Sequence, residues 1–215
     1  MPPRIPRPIL ASPDVEIDSM DRPWSGRFAV DLIRFRHRRF DGTMSELRTW
    51  ELWRRGRAVG LLPYDPISDQ VVLIEQFRLP AFAAGIDPVM TEVPAGLLED
   101  GEDPEQAMHR EMAEEMRLTA TNLEKIGSYI LTAGGSDEML DLFIGRVTAP
   151  PHDGDGIAGT AGLAAEHEDI RTRVWPAQKA IDQALSGGFP NSVTTIALLW
   201  LAAKHTDLRA KWRLT

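Results

Sequence analysis

Cysteine is absent from the 215 residues. Disulfides, thiol nucleophiles and cysteine zinc sites are thereby excluded, and the chain suits a reducing compartment. A long apolar run is lacking as well: the longest, 196–203, falls far short of the roughly 20 residues that span a bilayer. Residues 1–8 alternate proline with basic residues and carry no apolar stretch of the secretory kind. Together these absences predict a cytoplasmic protein without a membrane partner. A basic surplus is missing too. With 24 Lys and Arg against 32 Asp and Glu the net charge is −8, which argues against an extended nucleic-acid partner, because a nucleic-acid backbone needs a basic face. Small phosphorylated ligands remain open, since a cation held by clustered acids reverses the local field. The location of the acids therefore matters more than their number.

What is present is the composition of an ordinary folded protein, 43% hydrophobic and 26% charged. Residues 1–23, rich in proline and charge, read as an arm or irregular lead-in. Apolar residues over 27–40, the turn pair Asp41-Gly42 and a second strand near 44–53 predict a small antiparallel unit over 24–57. A few strands are marginal alone, so this unit should pack on the main body or on a second subunit. The domain expectation is thus 1–57 as arm and β unit, and 58–215 as the main domain. Within the latter, strands are expected at 58–62, 71–74, 89–93, 126–131, 140–147 and 170–175, with closing helices at 177–185 and 192–205. The stretch 150–165, rich in Gly, Asp and Ala, reads as a long loop and a candidate lid. Strands mixed with a few helices indicate an α/β layered fold around a mixed sheet.

One further helix is announced by its start. Asp103 suits the N-cap, Pro104 the first helical position, and Gln106 the capping box. On this helix, expected over 104–117, Glu111 and Glu115 are four residues apart and project from one face, with Glu114 beside them. Three such carboxylates repel one another. On a solvated surface that costs only a few tenths of a kcal/mol per pair, so the cluster alone does not decide between a solvated face and a site.

The surrounding spacing decides it. Gly96, five residues, Glu102, seven residues and Arg110-Glu111-Met112-Ala113-Glu114-Glu115-Met116-Arg117-Leu118 resemble the Nudix signature, G-x5-E-x7-R-E-U-x-E-E-x-G-U, where U is a bulky aliphatic residue. Eight of the nine specified positions match; Arg117 replaces the last glycine, so the helix either runs on or ends under mild strain. The resemblance implies a Nudix fold, a mixed sheet sandwiched between helices, and hydrolysis of a diphosphate with Mg2+ or Mn2+. Carboxylates on one helical face suit such hard ions, which prefer oxygen ligands. It assigns Glu111, Glu115 and the Ala95 carbonyl as metal ligands, with Glu114 as a weaker one, and it pairs Arg110 with Glu102 to fix the loop on the helix.

Beyond the signature, over roughly 24–205, the chain resembles the bacterial ADP-ribose pyrophosphatase family. The matching stretches are Arg34-Phe35-Arg36-His37-Arg38, Val71-Val72-Leu73-Ile74-Glu75-Gln76-Phe77-Arg78, Gly134-Gly135-Ser136-Asp137-Glu138 and 162–171. This resemblance implies cleavage of ADP-ribose to AMP and ribose 5-phosphate, with Glu166 as general base on the loop before the last strand and Glu168 as a further metal ligand. It implies a homodimer whose N-terminal strands are exchanged, and substrate contacts from Arg78, Arg27, Phe28, Leu97, Thr132 and Glu138. Two departures fall near the expected pocket: Trp50 stands where the relatives carry a basic residue, and Thr132-Ala133 replaces their Ser-Pro. Trp50 either stacks on a base or packs in the dimer core. The alternatives are a related nucleotide sugar such as GDP-mannose, and a ligand-sensing Nudix module without catalysis. The latter predicts eroded metal ligands and an added DNA-binding domain, and neither is present. The five histidines show no metal-ligand spacing and read as lone surface residues.

Overall fold

The computed structural model describes residues 6–99, 101–162 and 168–214. Backbone contacts divide the chain into two compact units, Met1–Arg57 with Ile130–Leu140, and Ala58–Tyr129 with Asp141–Thr215.

The first unit is an antiparallel sheet in the order β1-β2-β3, with β1 at Val15–Ser25, β2 at Ala29–His37 and β3 at Arg48–Arg54. The middle strand alternates as a one-sided strand should, burying Ala29, Asp31 and Ile33 on one face. The lead-in expected over 1–23 is corrected here: its second half is an 11-residue strand paired with β2. It is exposed almost throughout, so no apolar alternation betrays it. Pro23, which cannot donate to a ladder, falls in the register break between Asp21 and Trp24. Residues from the 130–140 segment run beside β3, where the Trp53 amide donates to the Gly135 carbonyl at 2.8 Å and the Asp137 amide to the Trp53 carbonyl at 3.2 Å.

This unit buries charge. Asp31 is fully buried, accepting from Arg22 Nε at 2.6 Å and from Arg54 Nη1 at 2.8 Å. Arg54, itself buried, also donates Nε to Asp137 at 2.7 Å and Nη2 to the Arg7 carbonyl. Asp137 in turn accepts the amides of Arg55 and Gly56. Each buried ion here meets a counter-ion, the condition under which burying charge is tolerable.

In the second unit the sheet order is β10-β11-β5-β4-β9-β8, with β6 paired to β5 and β7 to β4. Its strands are β4 (Arg57–Asp65), β5 (Gln70–Phe77), β6 (Val89–Glu92), β7 (Ala95–Leu97), β8 (Thr121–Ile130), β9 (Met139–Arg146), β10 (Ile157–Ala161) and β11 (Ile170–Pro176). The helices are α1 (Leu79–Ala83), α2 (Pro104–Met116), α3 (Ala177–Leu185) and α4 (Ser192–Trp212). In β5 all four of Val71, Val72, Leu73 and Ile74 are inaccessible, as expected of a strand covered on both faces. Val72 and Ile74 share a core with Met108 and Met112 of α2, so the alternating Val71 and Leu73 face the other side. This layered α/β sheet with helices is the architecture expected. The stretch 150–165 is not all loop: β10 lies within it, paired antiparallel to β11. The last helix runs past 205 to Trp212, which is buried. His205 is no lone surface histidine, since its Nε2 lies 2.7 Å from Asp69 Oδ1; His167 lies outside the described residues.

Candidate active site

The carboxylate helix is fixed first at its start. Asp103, in extended conformation, accepts the amides of Glu105 at 3.0 Å and Gln106 at 3.2 Å, and Pro104 opens the helix. Such a cap is worth about 1 kcal/mol. It sets the rotation of α2, whose inward face carries Ala107, Met108, Glu111, Met112, Glu115 and Met116. The face that packs into the core therefore takes two carboxylates with it.

Gly96 explains how one of them fits. A Cβ added there would fall on the Glu111 carboxyl group, so any larger residue would push that carboxyl from its place against β7. Next to it, the Ala95 amide donates to Glu115 Oε2 at 3.2 Å. Arg110 clamps the loop that precedes the helix. Its Nε and Nη2 lie 3.0 and 3.1 Å from the two Glu102 oxygens, and Nη2 also reaches the Leu97 carbonyl at 3.4 Å. Its Nη1 meets Glu111 at 2.7 Å and Glu114 at 3.3 Å. One guanidinium thus holds three acids of the signature.

That does not balance the buried charge. Burial pushes the Glu111 carboxyl up, and Arg110 only partly opposes it; the charges of Glu114 and Glu168 push the same way. Glu115 is raised well above the ordinary glutamate range, by burial first and then by Glu111 and Glu168, against the pull of the Ala95 amide and Arg78. Two buried acids with too little positive charge favour either protonation or a cation. Their donor atoms are all oxygen, which fits Mg2+ or Mn2+ and does not suit a softer ion. Among the described residues no three His, Asp or Glu side chains already converge as a closed ligand set, so backbone oxygens and water would have to complete the shell.

Glu168 is half-buried and electrostatically coupled to both acids. Its Cβ would come within 2.8 Å of a Cβ on Gly162, and the Gly162 amide donates to the Glu114 carbonyl at 3.4 Å. Gly162 and Glu168 thus both lie near the carboxylates of α2. Glu166, expected as the general base, lies outside the described residues. Leu97 is half-buried in β7, where it pairs with Ala58. Arg78 caps α1 and is held by Glu92, at 2.9 Å from Nε and 2.7 Å from Nη2. Beside it on β5, Glu75 takes Arg171 and Arg173 from β11.

The other expected substrate contacts belong to the first unit. Phe28 meets Trp53 edge-on at 6.1 Å, with the Arg55 guanidinium 4.3 Å from the Phe28 ring centre and 4.6 Å from that of Trp53. Arg55 Nη2 also bonds Glu138 at 2.7 Å. Arg27 lies 5.7 Å from the Phe28 ring. Trp50 is partly exposed, gives its indole N–H to the Gly134 carbonyl at 3.2 Å, and lines an open depression with Val30, Thr49, Trp53 and Gly135. Thr132 is exposed, its carbonyl accepting the amides of Gly135 and Ser136.

Arg55, Glu75, Glu92 and Asn191 were not among the residues expected at the site. Glu92 left at most a weak signal, as an acid within the strand-like segment Val-Met-Thr-Glu-Val of 89–93. The helix end answers the question raised by Arg117. The helix stops at Met116, and Arg117 adopts the left-handed conformation, φ 55° and ψ 34°, that glycine would take without strain.

A model of the Nudix domain matches residues 54–189, more than half of the chain. The chain belongs to the Nudix family. Within that family it is similar to the ADP-ribose pyrophosphatase of Escherichia coli K12, at 38% identity over 199 residues and 93% of both chains. That of Haemophilus influenzae is 34% identical over 203 residues, covering 93% of this chain and 91% of the other. A GDP-mannose pyrophosphatase of Salmonella typhimurium is 30% identical over a shorter 156 residues, 72% of this chain and 78% of its own. A solved structure described as an ADP compounds hydrolase superposes with a TM-score of 0.66 at 18% identity, over 93% of this chain and 98% of that one, a likeness of fold alone.

Proposed function

We propose that the chain hydrolyses the diphosphate of ADP-ribose to AMP and ribose 5-phosphate. The observation that carries this reading is the pair of buried, under-compensated carboxylates, Glu111 and Glu115, on a helix clamped by Arg110 with Arg78 close by. The similarity to ADP-ribose pyrophosphatases over 93% of the chain supplies the substrate. Glu111 and Glu115 would hold Mg2+ or Mn2+, with Glu168, Glu114 and the Ala95 carbonyl as further ligands. When bound, the ion neutralises phosphate oxygens and lowers the pKa of a water. Glu166 takes the proton of the attacking water as general base. Arg78 offers a guanidinium suited to phosphate oxygens. Arg27, Phe28, Trp50, Leu97, Thr132 and Glu138 complete the substrate contacts, the first unit working as a dimerisation and substrate-binding element in a homodimer with exchanged N-terminal strands.

The partner is thus a small nucleotide sugar, with neither nucleic acid nor membrane, and the site of action is the cytoplasm. Among the described residues no helix is long and apolar enough to cross a membrane. The test is kcat/KM over a panel of nucleotide sugars with MgCl2, MnCl2 or EDTA. ADP-ribose should lead, AMP should appear in equal amount with ribose 5-phosphate, and EDTA should abolish turnover. A preference for GDP-mannose would move the reading to the second class of relative; silence on every substrate would favour a ligand-sensing module.

A further inference from the structure

Glu92, the acid that ends β6, joins parts of the chain far apart in sequence. Its Oε2 accepts Nε and Nη2 of Arg78, while its Oε1 accepts the Nδ2 of Asn191 at 2.7 Å, 99 residues on. The orientation of that asparagine is determined. Its Oδ1 caps α4 by accepting the Thr194 amide at 2.9 Å and the Thr194 hydroxyl at 3.1 Å. A backbone N–H can only donate, so Oδ1 must face Thr194 and the amide NH2 must face Glu92. Thr194 is fully buried, and its hydroxyl accepts the Val93 amide at 3.0 Å, which ties the same helix start to the residue after β6. Both Glu92 oxygens are therefore bonded, the carboxylate is buried, and the Arg78 side chain on it is 40% exposed. A guanidinium carries five N–H donors; the two on Glu92 fix its plane and leave three uncommitted to that acid.

From this geometry we infer that Glu92 and Asn191 are positioning residues for Arg78, which turn the cap of α4 into the anchor of the guanidinium that meets a substrate phosphate. Pre-ordering a long side chain removes a cost of binding and acts on affinity rather than on the bond-breaking step. The inference rests on the reading of Arg78 as a substrate contact.

The test is a set of double-variant cycles in the full chain with Mg2+, read as kcat and KM for ADP-ribose and as Kd for ADP by calorimetry. Glu92→Gln keeps the volume and loses the charge. Asn191→Ser keeps a capping oxygen and loses the amide donor. Each should raise KM and Kd by about tenfold, as loss of a supporting partner does elsewhere, with kcat changed less than about threefold. In an Arg78→Ala background neither should add more than about twofold, because the residue they act through is gone. Additive effects in that background, or a fall in kcat with KM unchanged, would reduce Glu92 to a support of the fold and overturn the inference. So would an ADP affinity unmoved by Arg78→Ala, or no ADP binding at all. Since ADP binding needs no turnover, a protein that binds ADP yet leaves ADP-ribose intact would strike the proposed reaction alone, and the cycles would still be read.

Discussion

Two regions of this molecule bury carboxylates, with opposite results. In the first unit Asp31 is fully buried, and the hydrogen bonds of Arg22, then those of Arg54, hold it below its usual range. Asp137 is held low as well, although burial works against it, by Arg54 and the amides of Arg55 and Gly56. On α2 Glu111 and Glu115 are buried as well, yet both are pushed up, because burial outweighs the pull of Arg110 on Glu111 and that of the Ala95 amide and Arg78 on Glu115. A buried acid with full pairing is architecture; one left short of positive charge retains an affinity for a cation.

The largest way to break the contrast is to remove the centre of the paired network. Arg54→Met leaves the buried Asp31 and the half-buried Asp137 without their shared partner, and should cost about 3–5 kcal/mol of stability by chemical denaturation. The complementary change, Glu115→Gln, should leave the metal-free protein as stable as before or more so, because a strained charge has gone. It should nevertheless lower kcat/KM at least about a hundredfold, about 2.7 kcal/mol at the transition state, and raise the Mg2+ concentration needed for half-activity. A Glu115→Gln protein as unstable as Arg54→Met would erase the difference between the regions.

The sign of the pH dependence sharpens it. Because folded Asp31 titrates below unfolded aspartate, the unfolded chain binds more protons in acid, and stability falls as pH falls. The contribution is whole above about pH 4 and is lost as pH drops through the folded value. For Glu111 and Glu115 the inequality reverses: the folded state holds protons longer, so their effect is to lower stability as pH rises from about 4.5 through the raised values. Urea titrations of metal-free protein between pH 3 and 7 should show Asp31→Asn flattening the acid limb and Glu115→Gln flattening the neutral one. Identical curves for the two variants would refute the assignment.

The sequence disclosed these two regions unequally. Residue spacing alone placed Glu111 and Glu115 on one helical face, and Asp103-Pro104 marked where that helix begins, because caps and periodicity are local. Strands β5 and β9 were visible as apolar runs. β1 was hidden because almost nothing in it is buried, and β7 because three residues make no pattern. The Asp31–Arg54–Asp137 network was invisible, since Arg54 and Asp137 lie 83 residues apart and no local rule pairs them. The same holds for Glu92 and Asn191, 99 residues apart, where only an acid within a strand-like segment gave a hint. Gly96 was legible as a letter of the signature, but the reason for it, the Glu111 carboxyl lying where a Cβ would go, is a fact of packing.

The smallest expected effect separates strain from chemistry on the carboxylate helix itself. Arg117 closes α2 at φ 55°, donating its amide to the Ala113 carbonyl at 3.2 Å, while the Leu118 amide returns to the Met112 carbonyl at 3.2 Å. The Arg117 bond is the one that a left-handed helix end makes, usually with glycine, here carried by a residue whose Cβ crowds the backbone in that conformation. Glycine would relieve the crowding but gain freedom in the unfolded chain, which offsets part of the benefit. Arg117→Gly should therefore stabilise by only about 0.5–1 kcal/mol. Its kcat/KM should remain within about twofold, because the inward face of α2 is set by the Asp103 cap and the Met108 and Met112 contacts rather than by its last residue. A loss of activity beyond tenfold with the stability gain intact would mean that the strained end holds Glu114 and Glu115 in register, and the cost of Arg117 would then belong to the site rather than to the helix end.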